Sequence, residues 1–180
     1  MLRIIEFAHK MIKDRVSLDD ICVDMTIGNG NDTLFMAKIS KFVYGFDIQQ
    51  QAIDNTTKLL KEHNINNYQL FLSSHENVIK LIDTKVKAFI FNLGYLPTGD
   101  KSITTNYQST INAVENSLKL LDLKGVIVIV VYTGHESGKI EEEKLNEYIK
   151  TLNQKRYDVI SYKFINQINN PPYCIVIERK

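Results

Sequence analysis

Ile21-Cys22-Val23-Asp24-Met25-Thr26-Ile27-Gly28-Asn29-Gly30-Asn31-Asp32-Thr33 is the stretch that decides the fold of this 180-residue chain. A short apolar run ends at Asp24, a Gly-x-Gly turn follows, and Asp32 and Thr33 begin a segment with helical apolar spacing. This order predicts a buried strand, a tight turn and a helix N-terminus. In α/β folds, ligands bind at this place, outside the carboxyl end of the strand.

Two cofactor classes use such a turn. A dinucleotide requires a third glycine, Gly-x-Gly-x-x-Gly, where its pyrophosphate meets the helix. This chain has Thr33 at that position. The acidic strand end at Asp24 favours a positively charged ligand instead, bound directly or through water. S-adenosylmethionine (SAM) carries an ammonium and a sulfonium and has no phosphate, so we predict SAM, with a dinucleotide-dependent oxidoreductase as the alternative.

The composition is that of one globular domain over residues 1–180. Lysine and arginine number 22 and acidic residues 21, which argues against a broadly basic nucleic-acid coat but leaves room for a local basic patch. No apolar run approaches a membrane span and the N-terminus lacks a signal pattern, so we expect a cytoplasmic protein without a membrane partner.

The cysteines and histidines do not suggest a metal site. Cys22 and Cys174 lie in apolar, strand-like runs and are predicted to be buried free thiols. The four histidines show no spacing typical of metal ligands. We therefore expect no metal.

Predicted strands and helices alternate along most of the chain. The strands are Ile21–Met25, Phe42–Asp47, Tyr68–Leu72, Val86–Asn92, Val126–Val131, Tyr157–Phe164 and Tyr173–Ile177, and the helices are 2–14, 32–40, 49–63, a short one ending at Ile82, 107–121 and 139–152. Alternation predicts a mostly parallel sheet covered on both faces, with the first helix over a sheet edge. The last two strands are joined by a loop alone and should be antiparallel. A seven-stranded sheet with an antiparallel last strand is the arrangement of class I SAM-dependent methyltransferases, a Rossmann-like α/β fold.

Acidic and polar residues follow the second and third strands. Asp47 lies about 20 residues after the glycine turn, where a carboxylate can accept both hydroxyls of an adenosine ribose. The alternative role for Asp47 is a helix N-cap. Gln49 could reach the ribose or the adenine. His75 could stack on adenine or hydrogen-bond to it, or else Ser74 or His75 caps the next helix and Glu76 favours its first turn.

The residues after the fourth strand, Asn92-Leu93-Gly94-Tyr95, have the outline Asn-x-x-Tyr. Amine-directed methyltransferases often carry Asn-Pro-Pro-Tyr there, where the asparagine oxygen accepts a hydrogen bond from the target amine and the aromatic ring packs on the target base. The match is partial, because Leu93 and Gly94 replace the prolines. The alternative is a plain turn.

Three loops are predicted at the same edge of the sheet. A literal Asn-Pro-Pro-Tyr at 170–173 precedes the last strand, and we interpret it as a rigid turn. The loop that contains this turn should return to the edge of the sheet where the ligand is predicted to bind. Its amide side chains could line a substrate pocket there: Asn166, Gln167, Asn169 and Asn170. In the other two loops Lys101 could meet a phosphate, and Asp100 or His135 an amine. For each of these residues a solvated loop side chain is the alternative.

Several longer stretches together resemble one bacterial family, the YtqB-like proteins, now associated with tRNA methylation under the name MnmM. These are Asp-x-Thr-x-Gly-Asn-Gly-x-Asp-Thr, Phe-Asp-Ile-Gln, Phe-Asn-Leu-Gly-Tyr-Leu-Pro-x-Gly-Asp-Lys-Ser-Ile-Thr-Thr, Val-Val-Tyr-x-Gly-His and Phe-Ile-Asn-Gln-x-Asn-x-Pro-Pro. The resemblance covers essentially the whole chain. It implies SAM-dependent methylation of the exocyclic amine of 5-aminomethyl-(2-thio)uridine at the wobble position of tRNA, giving 5-methylaminomethyl-(2-thio)uridine.

The resemblance also implies site residues. The SAM site comprises Gly28, Asn29, Asn31, Asp32, Asp47, Gln49, His75 and Glu76, with Asn92 and Leu93 near the methyl group. Two departures from the family pattern, Ile27 and the Ser74-His75-Glu76 segment, bear mainly on the adenine contacts. A homodimer is expected from family habit.

A neutral primary amine needs to be desolvated and aligned rather than strongly activated. Candidate proton acceptors are Asp100 and His135. With Asn92, we predict Tyr95 and Asp100 as catalytic residues, and Lys101, Tyr132, His135, Asn166 and Asn169 as substrate-binding residues. The anticodon stem-loop of tRNA would meet Lys101 and a basic patch on the first helix (Arg3, Lys10, Lys13 and Arg15), with stacking by Tyr95 and Tyr132. Alternatives are a methyltransferase for rRNA or a small amine, and an RNA-binding module without SAM.

Overall fold

The structure, a computed structural model, describes residues 1–93, 107–132 and 136–180, with side chains from 140 onward in the last range. The strands are β1 (Ile21–Asp24), β2 (Phe42–Asp47), β3 (Tyr68–Leu72), β4 (Val86–Asn92), β5 (Leu121–Val131), β6 (Tyr157–Tyr162) and β7 (Tyr173–Arg179). The helices are α1 (Ile4–Lys13), α2 (Asn31–Ala37), α3 (Gln50–Glu62), α4 (Val78–Leu81), α5 (Tyr107–Leu120) and α6 (Glu136–Lys150), and a 3₁₀ turn spans His75–Asn77.

The seven strands form one sheet in the order β3-β2-β1-β4-β5-β7-β6. The pairs from β3 to β5 are parallel, and β7 is antiparallel to both β5 and β6. This confirms the predicted class I methyltransferase fold. The strand order reverses between β1 and β4, and the carboxyl ends of these strands therefore flank the crevice in which such sheets bind ligands.

Alternating side chains of the central strands supply two separate cores. On one face, Phe89, Phe91 and Ile129 pack with residues of α4, α5 and α6. On the other, Cys22 and Val128 pack with residues of α1 and α2. Both cysteines are buried and unpaired, as predicted, and burial raises the pKa of each thiol to about 12.

The prediction that the first helix covers a sheet edge is wrong. Helix α1 buries Ile4, Ala8 and Ile12 against the face of the sheet and contacts β5 and β7, whereas the edges are β3 and β6. The stripe of apolar residues predicts that one face of the helix is buried, but it does not indicate which strands the helix packs on.

Four predicted strand ends also differ, the smallest change being that β1 ends at Asp24 rather than at Met25. Strand β5 begins at Leu121, because β4 advances two residues from Val86 to Ala88 while β5 advances five, from Leu121 to Val126, through a bulge in which Lys124 has φ +57°. Strand β6 ends at Tyr162, since its partner β7 begins directly after Pro172, which lacks an N–H donor. Strand β7 extends past Ile177 to Arg179, where it pairs with Tyr157.

No helix within the described part of the chain is long and apolar enough to cross a membrane.

Candidate active site

The turn after β1 uses its two glycines for different purposes. Gly28 has φ +53°, and its N–H donates a hydrogen bond of 3.0 Å to Oδ2 of Asp47. Gly30 has φ +79°, and a Cβ at this position would lie 2.5 Å from Oγ1 of Thr56 on α3. Gly28 therefore fixes the course of the turn at the carboxyl end of β1, where ligands bind in such sheets, while Gly30 allows α2 and α3 to pack closely.

Asp47 links the turn to the end of β2. Its Oδ2 accepts from Gly28, and its Oδ1 accepts from the N–H of Gln49 at 2.9 Å. Helix α3 begins at Gln50 with Gln49 at the N-cap, so the alternative role of Asp47 as that cap is wrong. A carboxylate has about four acceptor positions. The half-buried Asp47 thus keeps acceptor capacity for ribose hydroxyls after its two backbone contacts.

Direct ligand contact by Asp24 is not supported. Its side chain is fully buried, with Oδ2 accepting from the Thr33 hydroxyl at 2.6 Å and Oδ1 from the Thr26 N–H at 3.1 Å. Burial, and secondly the negative charge of Asp32, raise the pKa of Asp24 to about 7. Asp24 instead stabilises the turn after β1 from its buried side, through the hydrogen bonds from Thr26 and Thr33. Thr33, which occupies the third glycine position of a dinucleotide motif, is its hydrogen-bond donor.

His75 lies at the start of the 3₁₀ turn and is 9% exposed. Its Nδ1 is 3.1 Å from the carbonyl oxygen of Met25, and since a carbonyl only accepts, Nδ1 carries the proton. Burial lowers the pKa of His75, so the ring is neutral near pH 7 and its Nε2 is an acceptor. Within the described residues this buried Nε2 has no partner. It is available to an N–H donor such as the amino group of adenine.

The other predicted cofactor residues differ in what they offer. Asn29 is exposed on the turn, and Asn31 is exposed at the start of α2. Glu76 faces α5, where its carbonyl accepts from Nδ2 of Asn116 at 3.0 Å. The Leu93 side chain is 1% exposed within the core, so the predicted place of Leu93 near the methyl group would involve its backbone, and it stays a prediction.

Asn92 stands at the end of β4, beside the crevice. Its N–H donates to Oγ1 of Thr26 at 2.7 Å, and its Nδ2 donates to Oδ2 of Asp32 at 3.2 Å. With the NH₂ group turned to Asp32, the amide oxygen is the atom left to accept a hydrogen bond from a target amine. Asp32 also contacts Nε2 of His9 through Oδ1 at 2.6 Å. Sequence reasoning missed His9, because no motif joins α1 to the glycine turn.

Two of the predicted substrate segments meet at the carboxyl end of β5. Tyr173 pairs with Val131, so the segment before β7 lies beside that strand end. Asn166 and Asn169 are exposed on this segment. Tyr132, next after Val131, is 40% exposed, and partial burial together with the charge of Asp32 raises its pKa. The structure therefore brings Tyr132 close to the Asp32 network.

Four predicted site residues lie outside the described residues: Tyr95, Asp100, Lys101 and His135. Their proposed roles stay predictions. In the described ranges 1–93, 107–132 and 136–180, no group of three or more His, Cys, Asp or Glu residues could hold a metal ion.

The predicted basic patch of α1 is partly neutralised. Lys10 pairs with Asp14 at 2.6 Å. Nε of Arg15 donates to Glu178 on β7 at 3.0 Å. The helix therefore offers less positive charge to RNA than its sequence indicates.

Comparison with known proteins places this geometry in a family. A family model described as "Putative rRNA methylase" matches residues 43–178. The chain belongs to this family. It is also 31% identical, over 97% of its own length and 69% of the relative's, to the chloroplastic tRNA (mnm(5)s(2)U34)-methyltransferase of Arabidopsis thaliana.

Solved structures of similar proteins agree with the family. A "putative rRNA-methylase" from Clostridium thermocellum is 42% identical, with TM-score 0.97 and 100% of both chains covered. A "putative methyltransferase" from Streptococcus mutans in complex with SAH is 37% identical, with TM-score 0.95, covering 100% of this chain and 99% of that one.

This chain is thus a SAM-dependent methyltransferase, and the residues present fit the cofactor. Gly28 and Asp47 would hold the ribose, and Nε2 of His75, which has no partner among the described residues, would accept a hydrogen bond from adenine. The dinucleotide alternative and the RNA-binding module without SAM are both wrong.

Proposed function

We propose that this methyltransferase acts on tRNA at the wobble uridine, converting 5-aminomethyl-(2-thio)uridine to 5-methylaminomethyl-(2-thio)uridine. The observation that supports this substrate is the 31% identity to the Arabidopsis tRNA (mnm(5)s(2)U34)-methyltransferase over almost the whole chain. The anticodon stem-loop is then the part of tRNA that enters the site. We further propose a cytoplasmic location and a homodimer.

The orientation of Asn92 supports an amine as the target. Its amide oxygen accepts an N–H of the neutral amine, which aims the nitrogen lone pair at the methyl group. SAM supplies that methyl group on a sulfonium: the N–C bond forms as the S–C bond breaks, SAH leaves, and the amine proton passes to solvent. Alignment and desolvation are the main contributions required of the protein.

The segment before β7 supports recognition of a nucleic-acid loop. Ile165 and Ile168 are 94% and 82% exposed and are interspersed with the amides of Asn166 and Asn169. Unpaired RNA loops present base faces and base edges, which apolar side chains and amides can contact. Tyr132 at the end of β5 adds an aromatic surface for stacking.

The test is nucleoside mass spectrometry on tRNA from cells that lack this enzyme, incubated with the protein and SAM. We expect loss of 5-aminomethyl-2-thiouridine and a matching gain of the methylaminomethyl nucleoside. Asn92→Ala is the control for adventitious methylation. If SAM binds and this nucleoside does not change, the proposal is wrong, and rRNA or a small amine becomes the substrate to test.

A further inference from the structure

His9 lies beside the site on helix α1, which packs on the face of the sheet. Helix α1 is anchored by buried Ile4, Ala8 and Ile12. The His9 ring stacks on Phe35 of α2, with centroids 3.9 Å apart and planes 4° from parallel. Stacking fixes the plane of the ring, and its Nε2 then lies 2.6 Å from Oδ1 of Asp32.

Asp32 connects His9 to Asn92. The Asp32 residue is 8% exposed, and each of its oxygens has a side-chain partner, His9 on Oδ1 and Asn92 on Oδ2. An ionised carboxylate only accepts hydrogen bonds, so His9 donates from Nε2 and Asn92 donates from its NH₂ group. The assignment of the Asn92 amide thus follows from the hydrogen-bond network.

We propose that His9 is a positioning residue for methyl transfer, which holds the Asp32 carboxylate so that Asn92 keeps its amide oxygen turned to the target amine. The inference rests on the proposed function in that the target is an amine. It assigns no chemical step to His9, which acts only through Asp32.

Loss of the His9 donor would change the orientation of Asn92. Asp32 would keep a nearly buried oxygen without a partner, which is costly, and the carboxylate would turn to recruit another donor. Asn92 would then lose its fixed partner. An amide free to turn over presents its NH₂ group to the amine, and the amine lone pair then accepts that hydrogen bond instead of pointing at the methyl group. The chemical step should slow, while SAM contacts after β2 and β3 stay intact.

A matched pair of variants separates the hydrogen bond from packing. His9→Phe keeps a flat ring on Phe35 but removes the donor. His9→Gln loses the stacking ring but keeps an N–H donor at a similar reach. We expect His9→Phe to lower kcat on tRNA about tenfold, with the Kd for SAM unchanged within about twofold, and His9→Gln to recover most of the loss.

A second readout needs no RNA substrate. In the SAH-bound protein, the side-chain NH₂ protons of Asn92 can be followed by ¹⁵N-resolved NMR, assigned with Asn92→Ala. We expect His9→Phe to shift these signals and speed their exchange with solvent, and His9→Gln to keep both close to wild type.

Unchanged Asn92 signals in His9→Phe overturn the proposal, whatever the activity on tRNA. Wild-type rate in His9→Phe overturns it as well, and so does equal loss in both variants, since that outcome assigns His9 to packing alone. A wild-type enzyme that makes no product on tRNA contradicts the proposed function instead, and the NMR measurement then decides the role of His9.

Discussion

The two halves of the sheet's carboxyl edge hold their polar groups in different ways. After β1, β2 and β3, the side chains of Asp24, Asp47 and His75 are bonded to backbone N–H or carbonyl groups. After β5 and before β7, Tyr132, Asn166 and Asn169 are exposed on loops. The side chains of the predicted cofactor half are thus fixed by hydrogen bonds to the backbone, whereas those of the predicted substrate half are exposed on loops.

One network joins the halves. Asp32 lies in the first turn of helix α2 on the cofactor side, and Asn92 ends β4 on the other side of the switch point. In the proposed mechanism, the hydrogen bond between them therefore ties the position of the target amine to the position of the glycine turn. Methyl transfer requires that alignment, because reacting atoms must lie about 3–3.5 Å apart.

The largest effect we expect in the cofactor half is that of Asp47→Ala. It removes the predicted ribose acceptor and leaves the Gly28 and Gln49 N–H groups without their side-chain partner. SAM affinity should fall about 100-fold, near 3 kcal/mol, by isothermal titration calorimetry. Asp54→Ala, on the exposed side of α3, is the control and should bind SAM normally. Wild-type affinity in Asp47→Ala would remove Asp47 from the site.

Gly30→Ala tests whether the close packing of α2 against α3 requires a glycine at this position. The new Cβ meets Oγ1 of Thr56 at 2.5 Å and requires a non-glycine residue at φ +79°. Unfolding experiments in urea should show a loss of about 2 kcal/mol in the free energy of unfolding. Asn31→Ala, exposed at the start of α2, should change it by less than about 0.5 kcal/mol. Similar values for the two variants would show that the close approach of α2 and α3 is not needed.

Asp24→Asn should change how stability depends on pH. The folded-state pKa of Asp24, about 7, lies above its value in the unfolded chain, about 4, so the folded protein binds more protons between these values. This group therefore loses stabilising effect as pH rises from about 4 to about 7. The side-chain amide that this substitution introduces can keep both contacts, accepting from the Thr26 N–H and donating to the Thr33 hydroxyl.

We expect the stability of Asp24→Asn relative to wild type to be higher at pH 8 than at pH 5, by about 2.6 kcal/mol. Thermal or urea unfolding at the two pH values measures this difference directly, and subtraction of wild type removes the contribution of His75. An equal difference at both pH values would mean that Asp24 is ionised in the fold at pH 5.

The smallest effect is expected in the substrate half. Replacing Ile165 and Ile168 with Ser should raise KM for tRNA about threefold, less than 1 kcal/mol, because each contributes only surface contact on a loop. The Kd for SAM should not change. Leu18→Ser, also exposed but before β1 at the opposite edge, is the control. A change in SAM affinity in this variant would contradict the separation into a cofactor half and a substrate half.

The same contrast explains what could be predicted from the sequence. Asp47 and Gly28 belong to short patterns, a strand end and a turn, whose geometry repeats in α/β folds, and the structure places both at the ligand edge. The parallel sheet with its antiparallel last strand, and the position of the segment before β7, followed from alternation and from the final loop-joined strands. These features depend on neighbours close in sequence.

The missed features depend on contacts distant in sequence. His9 precedes Asp32 by 23 residues, and only the docking of α1 on the sheet face brings them together. The charge of Arg15 is neutralised by Glu178 near the far end of the chain. The start of β5 depends on a bulge that only its pairing with β4 reveals.

The most direct test of the account is the rate of methylated nucleoside formation as a function of SAM concentration, for wild type, Asp47→Ala and Asn92→Ala. Separate halves predict a raised KM for SAM with a largely retained kcat in Asp47→Ala, and a lowered kcat with an unchanged KM in Asn92→Ala. If both variants change the same constant, the edge works as one undivided site, and the division between cofactor and substrate halves is wrong.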